Sequence, residues 1–211
     1  HKIDEARRVG GSSTLYKANK EVFELLRYGA NVHESPGPKN EDVKFIDWEN
    51  WEANDFGVAE EVPVSGKNDK RPDVVLYVNG IAVGVLELKR SKVAVSEGIR
   101  QNLDNQKPEF IEEFFSTMQL VMAGNDTQGL RYGTIETPET HYTQWKEENP
   151  AYDPSDPTAN KYLSPTSCEE SNERLDCALA RLVNPKRLLE LIHDFIVFDS
   201  GTKIVARHNQ Y

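Results

Sequence analysis

The feature that most constrains the fold is an apolar segment from Arg71 to Arg90, RPDVVLYVNGIAVGVLELKR, divided in the middle by Asn79-Gly80. Asn-Gly between two apolar runs is a strong sequence signal for a two-residue hairpin turn. The segment therefore predicts two antiparallel strands with largely buried side chains. Charged residues stand at the strand ends, with Asp73 at the start and Glu87 and Lys89 at the finish. They are either solvated strand ends or parts of a metal site.

The elements predicted around this hairpin are typical of an α/β domain. An amphipathic pattern predicts a helix that ends at Gly29, and a later helix is expected with Ser96 as its N-cap. Asn184 followed by Pro185 predicts the start of another helix, through 198. Further strands are expected over three segments: 43–50, 56–66 and 130–136. This order predicts an α/β fold with a mixed central β-sheet flanked by helices.

A change in composition divides the chain into three parts. Residues 147–172 contain four prolines and many polar residues, which predicts a long loop or excursion. We expect one domain over 1–146 and a helical segment over 173–211. The two cysteines, Cys168 and Cys177, are expected to be free thiols, because two cysteines make a poor disulfide framework.

The charge distribution restricts the partners that such a chain can bind. A net charge of −10 over 211 residues argues against a general nucleic-acid coat, since phosphate contacts need lysine and arginine. The segment from Val64 to Phe110 nevertheless carries eight Lys or Arg against six Asp or Glu, a local charge of +2. The hairpin thus lies in a part of the chain with a small positive charge, so DNA binding is compatible with the sequence. No apolar run approaches eighteen residues, so we expect a soluble, cytoplasmic protein.

The charged residues of the hairpin have the chemistry of a magnesium-dependent phosphodiesterase. Hydrolysis of a phosphodiester needs a divalent ion, which polarises the phosphate and activates water, and a cation nearby. Mg²⁺ prefers oxygen ligands and is usually held by one or two carboxylates. Asp73 and Glu87 would supply these, the backbone carbonyl of Leu88 a third ligand, and Lys89 the cation. Lys89 shares a strand face with Glu87 because the two residues are two apart.

The strand register decides whether these side chains can meet. A regular hairpin with Asn79-Gly80 as its turn places Asp73 opposite Leu86, on the face away from Glu87. A loop with an odd number of residues, or a β-bulge near Asp73, moves Asp73 to the face of Glu87. A metal site therefore requires an irregularity in this hairpin.

The pattern of RPDVVLYVNG followed by GVLELK resembles the core of the PD-(D/E)XK nucleases. It is most similar to the nuclease domain at the N-terminus of the restriction (R) subunit of type I restriction–modification enzymes. Four surrounding stretches resemble the same family: LLRYG, FIDW, GIRQN and AGNDTQGLRYGTIETP. The resemblance implies a Mg²⁺- or Mn²⁺-dependent endonuclease that cleaves double-stranded DNA, with Asp73 and Glu87 as metal ligands and Lys89 as catalytic lysine. It also implies that Gln101 is the glutamine of a Q-x-x-x-Y motif, although Asn105 stands at the tyrosine position.

The resemblance also implies a larger complex. Methyltransferase and specificity subunits would be partners, and ATP would drive the full-length subunit. The final run KIVARHNQY is similar to the segment that leads into the helicase-like motor of the family, where Gln210 would contact adenine. No G-x-x-x-x-G-K-S/T phosphate loop occurs, so ATP is not expected to bind this fragment. The alternative is a catalytically silent module with the nuclease fold, which docks the R subunit on the methyltransferase.

Overall fold

The computed structural model describes residues 2–33, 40–146 and 175–211. The helices are α1 (Lys2–Ala6), α2 (Leu15–Tyr28), α3 (Val95–Asn105), α4 (Leu175–Leu182) and α5 (Pro185–Asp194). The strands are β1 (Ala30–His33), β2 (Asn40–Val43), β3 (Phe56–Glu60), β4 (Val74–Val78), β5 (Ile81–Leu88), β6 (Leu120–Asn125), β7 (Gly129–Gly133), β8 (Ile196–Asp199) and β9 (Thr202–Val205). Short 3₁₀ helices cover 51–53, 112–117, 139–141 and 208–210.

A five-stranded sheet in the order β3-β4-β5-β6-β7 forms the centre of the molecule. The β5–β6 pair is parallel and the other pairs are antiparallel, so the sheet is mixed. Helices cover both faces, and the predicted α/β class with a mixed central sheet is confirmed. The arrangement is compatible with a restriction-endonuclease-like core.

Two hydrophobic clusters fill the space on the two faces of this sheet. One lies under α2, α4 and α5 and includes Val83, Leu86 and Trp145. The other lies under α3 and the 3₁₀ helix over 112–117 and includes Val85 and Val121. The alternation between Val85 and Leu86 follows from the two-residue period of a strand. Both faces are buried, which explains why the hairpin sequence is apolar almost throughout.

The helix termini show which local sequence signals hold. Helix α2 ends at Gly29 as predicted, and α5 begins after Asn184, whose side chain accepts a hydrogen bond from the N–H of Lys186. The predicted cap Ser96 is wrong, because the N-cap of α3 is Ala94. The strand predicted over 43–50 is also wrong; β2 ends at Val43 and an irregular segment follows.

The last described residues add a two-stranded sheet that sequence analysis did not predict. Helix α5 ends at Asp194, and β8 and β9 then pair antiparallel. Buried Lys203 of β9 joins this hairpin to the rest of the molecule: its Nζ donates to Asn19 Oδ1 and Gln119 Oε1, both at 2.7 Å. Ile196 belongs to the same cluster as Leu86, so residues after 175 pack against the central sheet.

Two further findings concern predictions about the chain as a whole. Cys177 is in a disulfide, so the predicted free thiol is wrong there, and Cys168 lies outside the described residues. The predicted proline-rich excursion over 147–172 lies outside them as well. Among the described helices, none is long and apolar enough to cross a membrane.

Candidate active site

A β-bulge in the β4–β5 hairpin decides where its acidic residues lie. The turn at Asn79-Gly80 has two residues, both with positive φ (50° and 77°), and Val78 pairs with Ile81. The register then shifts between Leu76 and Tyr77, which pair with Gly84 and Ala82 and leave Val83 without a partner. Beyond the bulge Val74 pairs with Leu86. The next pair outward is Asp73 with Glu87, and the two residues therefore share a face.

This geometry meets the condition that the metal site requires. Of the two irregularities considered, the loop is regular and the bulge is present, on β5 rather than beside Asp73. The bulge also separates Val83 from Glu87: Val83 packs in the cluster with Leu86, on the opposite face. One extra residue in a strand moves every later residue of that strand to the opposite face. The bulge at Val83 therefore brings Glu87 to the face of Asp73, although the turn itself is regular.

The carboxyl group of Asp73 is held at the end of β5. The backbone N–H of Leu88 donates a hydrogen bond of 2.7 Å to Asp73 Oδ2. The next residue, Lys89, bonds to the parallel neighbour β6 instead: its N–H donates to the carbonyl of Gly124 at 2.9 Å. Backbone groups of successive strand residues point to opposite sides, so the carbonyl of Leu88 faces the side of Asp73. This direction is compatible with the predicted role of the Leu88 carbonyl as a third ligand.

Glu87 is a buried acid, and one of its two carboxylate oxygens accepts a hydrogen bond. Its side chain is 4 % exposed, and Oε1 accepts a hydrogen bond of 2.7 Å from Lys89 Nζ. Burial raises the pKa of the Glu87 carboxyl; the bond from Lys89 opposes this rise, and the charge of Asp73 adds to it. The effect of Asp73 on this pKa reflects two carboxyl groups that lie close together.

The other oxygen, Glu87 Oε2, is buried and has no hydrogen-bond partner among the described residues. A buried carboxylate oxygen without a donor is costly, and a divalent cation between Glu87 and Asp73 would satisfy it. The donor set consists of two carboxylates and one carbonyl, all hard oxygen ligands, which suits Mg²⁺ or Mn²⁺. The residues present therefore fit such an ion.

Gln101 of α3 completes the group around Lys89. Lys89 Nζ donates a second hydrogen bond, of 2.6 Å, to Gln101 Oε1. The lysine side chain is 17 % exposed, so its ammonium group lies at the boundary between the buried Glu87 and solvent. The structure thus brings Gln101 of the following helix together with the three residues at the hairpin ends, Asp73, Glu87 and Lys89.

Asn105 and Gln210 do not join this group. Asn105 is 3 % exposed, and its Oδ1 has no hydrogen-bond partner among the described residues. Gln210 accepts a bond from the N–H of Arg207, and the neighbouring Tyr211 packs on Trp145. Trp145 belongs to the cluster with Leu86, whose side chain points away from that of Glu87. Gln210 thus lies on the other side of the sheet, and its adenine contact stays a prediction.

Gly98 is a residue of the site that sequence analysis missed. A Cβ at this position of α3 would lie 3.1 Å from Ala123 Cβ, 3.4 Å from Lys89 Cγ and 3.5 Å from Glu87 Cγ. Glycine therefore allows α3 to approach the sheet directly over the acid and the lysine. A glycine inside a helical pattern is the signal that could have revealed this contact.

Comparisons with known proteins find similarity over most of the chain. The model of the family "Type I restriction enzyme R protein N terminus" matches residues 1–141. The chain is 28% identical over 210 residues to the type I restriction enzyme HindI endonuclease subunit of Haemophilus influenzae, covering 93% of this chain and 18% of that protein. It is 26% identical over 143 residues to the type I restriction enzyme SauCOLORF180P endonuclease subunit of Staphylococcus aureus, covering 67% of this chain and 14% of that protein. The chain thus spans less than a fifth of the length of these relatives.

Proposed function

Because the chain belongs to the family of type I restriction enzyme R protein N termini, we propose that it is a Mg²⁺-dependent endonuclease domain which hydrolyses phosphodiester bonds of double-stranded DNA. The observation that carries the proposal is the bulge at Val83, which places Asp73 and Glu87 on one face. A solvated strand end would need no such irregularity. A solvated strand end would also not bury an oxygen such as Glu87 Oε2, which has no hydrogen-bond partner within the described ranges.

Asp73, Glu87 and the carbonyl of Leu88 would hold the ion. A divalent ion bound there supplies Lewis-acid polarisation of the scissile phosphate and a lower pKa for an attacking water. The three protein ligands leave several positions of the coordination shell to water and to phosphate oxygens, as is usual for Mg²⁺.

Lys89 has the role of a positioned cation. Its ammonium group has three N–H donors, of which Glu87 and Gln101 take two. The third donor remains for a phosphate oxygen or for the attacking water. Gln101 accepts from Lys89 and so orients the ammonium toward the open side of the site, which raises its effectiveness through preorganisation.

The intact subunit would act within a larger complex. By its family membership, its partners would be double-stranded DNA and the methyltransferase and specificity subunits, in the cytoplasm. ATP would serve the full-length protein, with Gln210 as an adenine contact outside the nuclease site. The net charge of −10, with a local charge of only +2 on the hairpin segment, explains why DNA would have to be delivered by the complex.

Metal uptake by the isolated chain tests this proposal. We expect calorimetry with Mn²⁺ to show binding that Asp73→Ala abolishes, at up to millimolar metal, because two carboxylates leave most of the shell to water. Asp104→Ala is the matched control, since Asp104 is an exposed carboxylate on α3 that pairs with Lys107. Its binding isotherm should equal that of the wild type.

The opposite result would favour the silent docking module. Uptake that is unchanged by Asp73→Ala, or no uptake even with duplex DNA present, would refute the metal site. Absence of DNA cleavage by the isolated chain would not, because weak affinity for DNA is itself expected from the charge distribution.

A further inference from the structure

The segment that runs from Lys89 into α3 forms a hydrogen bond at every second residue with the turn between β6 and β7. We refer to residues 124–128 as the clamp turn. Four hydrogen bonds link the two segments: Lys89 N–H to the Gly124 carbonyl at 2.9 Å, Thr127 Oγ1 to the Ser91 carbonyl at 3.0 Å, Asn125 Nδ2 to the Val93 carbonyl at 2.7 Å, and Val95 N–H to Gln128 Oε1 at 2.7 Å. Two segments far apart in sequence are thereby held in one fixed relation.

The last of these bonds caps helix α3 from outside the helix. The N-cap residue, Ala94, has no side-chain acceptor, so the first N–H groups of the helix would lack a partner. Gln128 supplies an oxygen to the N–H of Val95, the first helical residue, whereas an N-cap serine or aspartate would accept from the second or third. The start of α3, and with it the position of Gln101 two turns later, is set by the clamp turn.

Asn125 orders the clamp turn itself. It is 1 % exposed, and its Oδ1 accepts from the N–H of Thr127 at 3.0 Å and from that of Gln128 at 2.6 Å. Its Nδ2 donates to Val93 at the same time, so one buried side chain uses both ends. Three hydrogen bonds from one buried amide leave the turn little freedom.

We propose that the clamp turn is a positioning element, with Asn125 and Gln128 as positioning residues that hold Lys89 against Gln101. The inference rests on the proposed nuclease function. Lys89 stands at one end of the bonded region, and Gln101 lies in α3 six residues beyond its other end, Val95. The side chains of Lys89 and Gln101 meet at 2.6 Å. Asp73 precedes β4 and Glu87 lies within β5, both outside that region. Loosening the turn should disturb the lysine and leave the two acids in place.

The test uses Gln128→Leu, which removes the acceptor, and Gln128→Glu, which keeps it. Gln128 is exposed, so both variants should fold. Asp126→Asn is the matched control, because Asp126 is exposed in the same turn and makes none of the four bonds. In the full-length subunit we expect Gln128→Leu to lower kcat for DNA cleavage roughly tenfold or more, since small misplacements of catalytic groups are costly. KM for DNA should stay unchanged, and Gln128→Glu should restore kcat.

Two further measurements separate this inference from the proposed function. Hydrogen exchange of residues 90–101 should quicken roughly tenfold in Gln128→Leu and match the wild type in Gln128→Glu and Asp126→Asn. Mn²⁺ uptake at Asp73 and Glu87 should be equal in all four proteins. Unchanged exchange in Gln128→Leu, or quicker exchange with full kcat, would overturn the positioning role. Loss of Mn²⁺ uptake and of cleavage in the wild type would instead refute the nuclease function, with hydrogen exchange still deciding whether the turn holds α3.

Discussion

The backbone N–H of Leu88 donates a 2.7 Å hydrogen bond to the carboxylate of Asp73. This bond joins the end of β5 to the residue before β4, in the place where a regular ladder would have a backbone pair. It depends on the bulge at Val83, because without the shift Asp73 would lie opposite Leu86. A single extra residue on one strand thus decides whether the hairpin ends in a site or in two unrelated charges.

Removal of the Lys89 ammonium should stop DNA cleavage without affecting the motor. In the full-length subunit we expect Lys89→Ala to lower kcat for cleavage at least a hundredfold, because a positioned cation acts mainly in the transition state. ATP hydrolysis should stay near the wild-type rate. The matched control is Lys20→Ala, an exposed lysine of α2 that pairs with Glu24. Normal restriction by the Lys89 variant would disprove its catalytic role.

Replacement of Glu87 by glutamine should raise the thermal stability at pH 8 and abolish the response to Mn²⁺. Burial raises the pKa of Glu87, so the folded state binds this proton more tightly than the unfolded state does. Its contribution to stability is therefore lost as the pH rises from the ordinary value through the raised folded pKa. Glu87→Gln removes this loss and keeps an oxygen for Lys89.

At pH 8 we expect Glu87→Gln to raise Tm in the absence of metal by a few degrees, about 2–4 °C per kcal/mol. Near pH 4.5 the two proteins should differ little. The wild type should gain thermal stability from Mn²⁺ and the variant should not. Glu52→Gln, an exposed acid, should match the wild type in both respects. A Glu87 variant that melts lower at pH 8 and still responds to Mn²⁺ would contradict the prediction.

The sequence predicts the hairpin, its turn and the fold class because these depend on local signals. Asn79-Gly80 specifies the turn directly, and the alternation of apolar residues follows from burial on both faces. The bulge could be stated only as a condition, since Val83 is equally suited to a regular strand. Its position depends on how Val83 packs against the cluster around Leu86, which is a property of the assembled core.

The features that the sequence did not predict correctly lie where tertiary contacts replace local ones. Ser96 has a side chain suited to an N-cap, but the hydrogen bond at the start of α3 goes to Gln128 of the β6–β7 turn. The apolar run after Asp194 continues the pattern of α5, yet it forms β8 because Ser200-Gly201 allows a turn with positive φ. For the site, residue types identified Asp73, Glu87 and Lys89, whereas the role of Gly98 needs the distance between α3 and the sheet.

A large side chain at Gly98 of α3 should displace the side chains of Glu87 and Lys89. The nearest atoms are Ala123 Cβ, Lys89 Cγ and Glu87 Cγ, so Gly98→Leu must push α3 away or displace both charged side chains. Overpacking of this kind costs about 1–3 kcal/mol. We expect a lower Tm together with weaker Mn²⁺ uptake.

The control for Gly98 is Glu97→Leu, at the exposed position next to it on α3, which loses only a surface ion pair with Arg100. Surface pairs contribute about 0–1 kcal/mol, so its Tm should change little. Equal Tm and Mn²⁺ affinity for Gly98→Leu and the wild type would show that α3 does not press on the site.

Buried Lys203 should make stability depend on alkaline pH. Burial lowers its pKa well below 10.5, so between the folded pKa and 10.5 the unfolded chain binds more protons at this residue than the folded one. Stability therefore rises with pH across that window, by up to about 1.4 kcal/mol per pH unit. The acceptors Asn19 and Gln119 favour the charged ammonium and limit the lowering of the pKa.

Urea unfolding of the wild type and of Lys203→Met from pH 7 to 10 isolates this effect, because the methionine has no group that titrates. The free energy of unfolding of the wild type should increase relative to that of the variant as the pH rises. Lys186→Met, which changes a lysine at the start of α5, should run parallel to the wild type. A constant difference between wild type and Lys203→Met across this range would mean that Lys203 keeps an ordinary pKa in the folded protein.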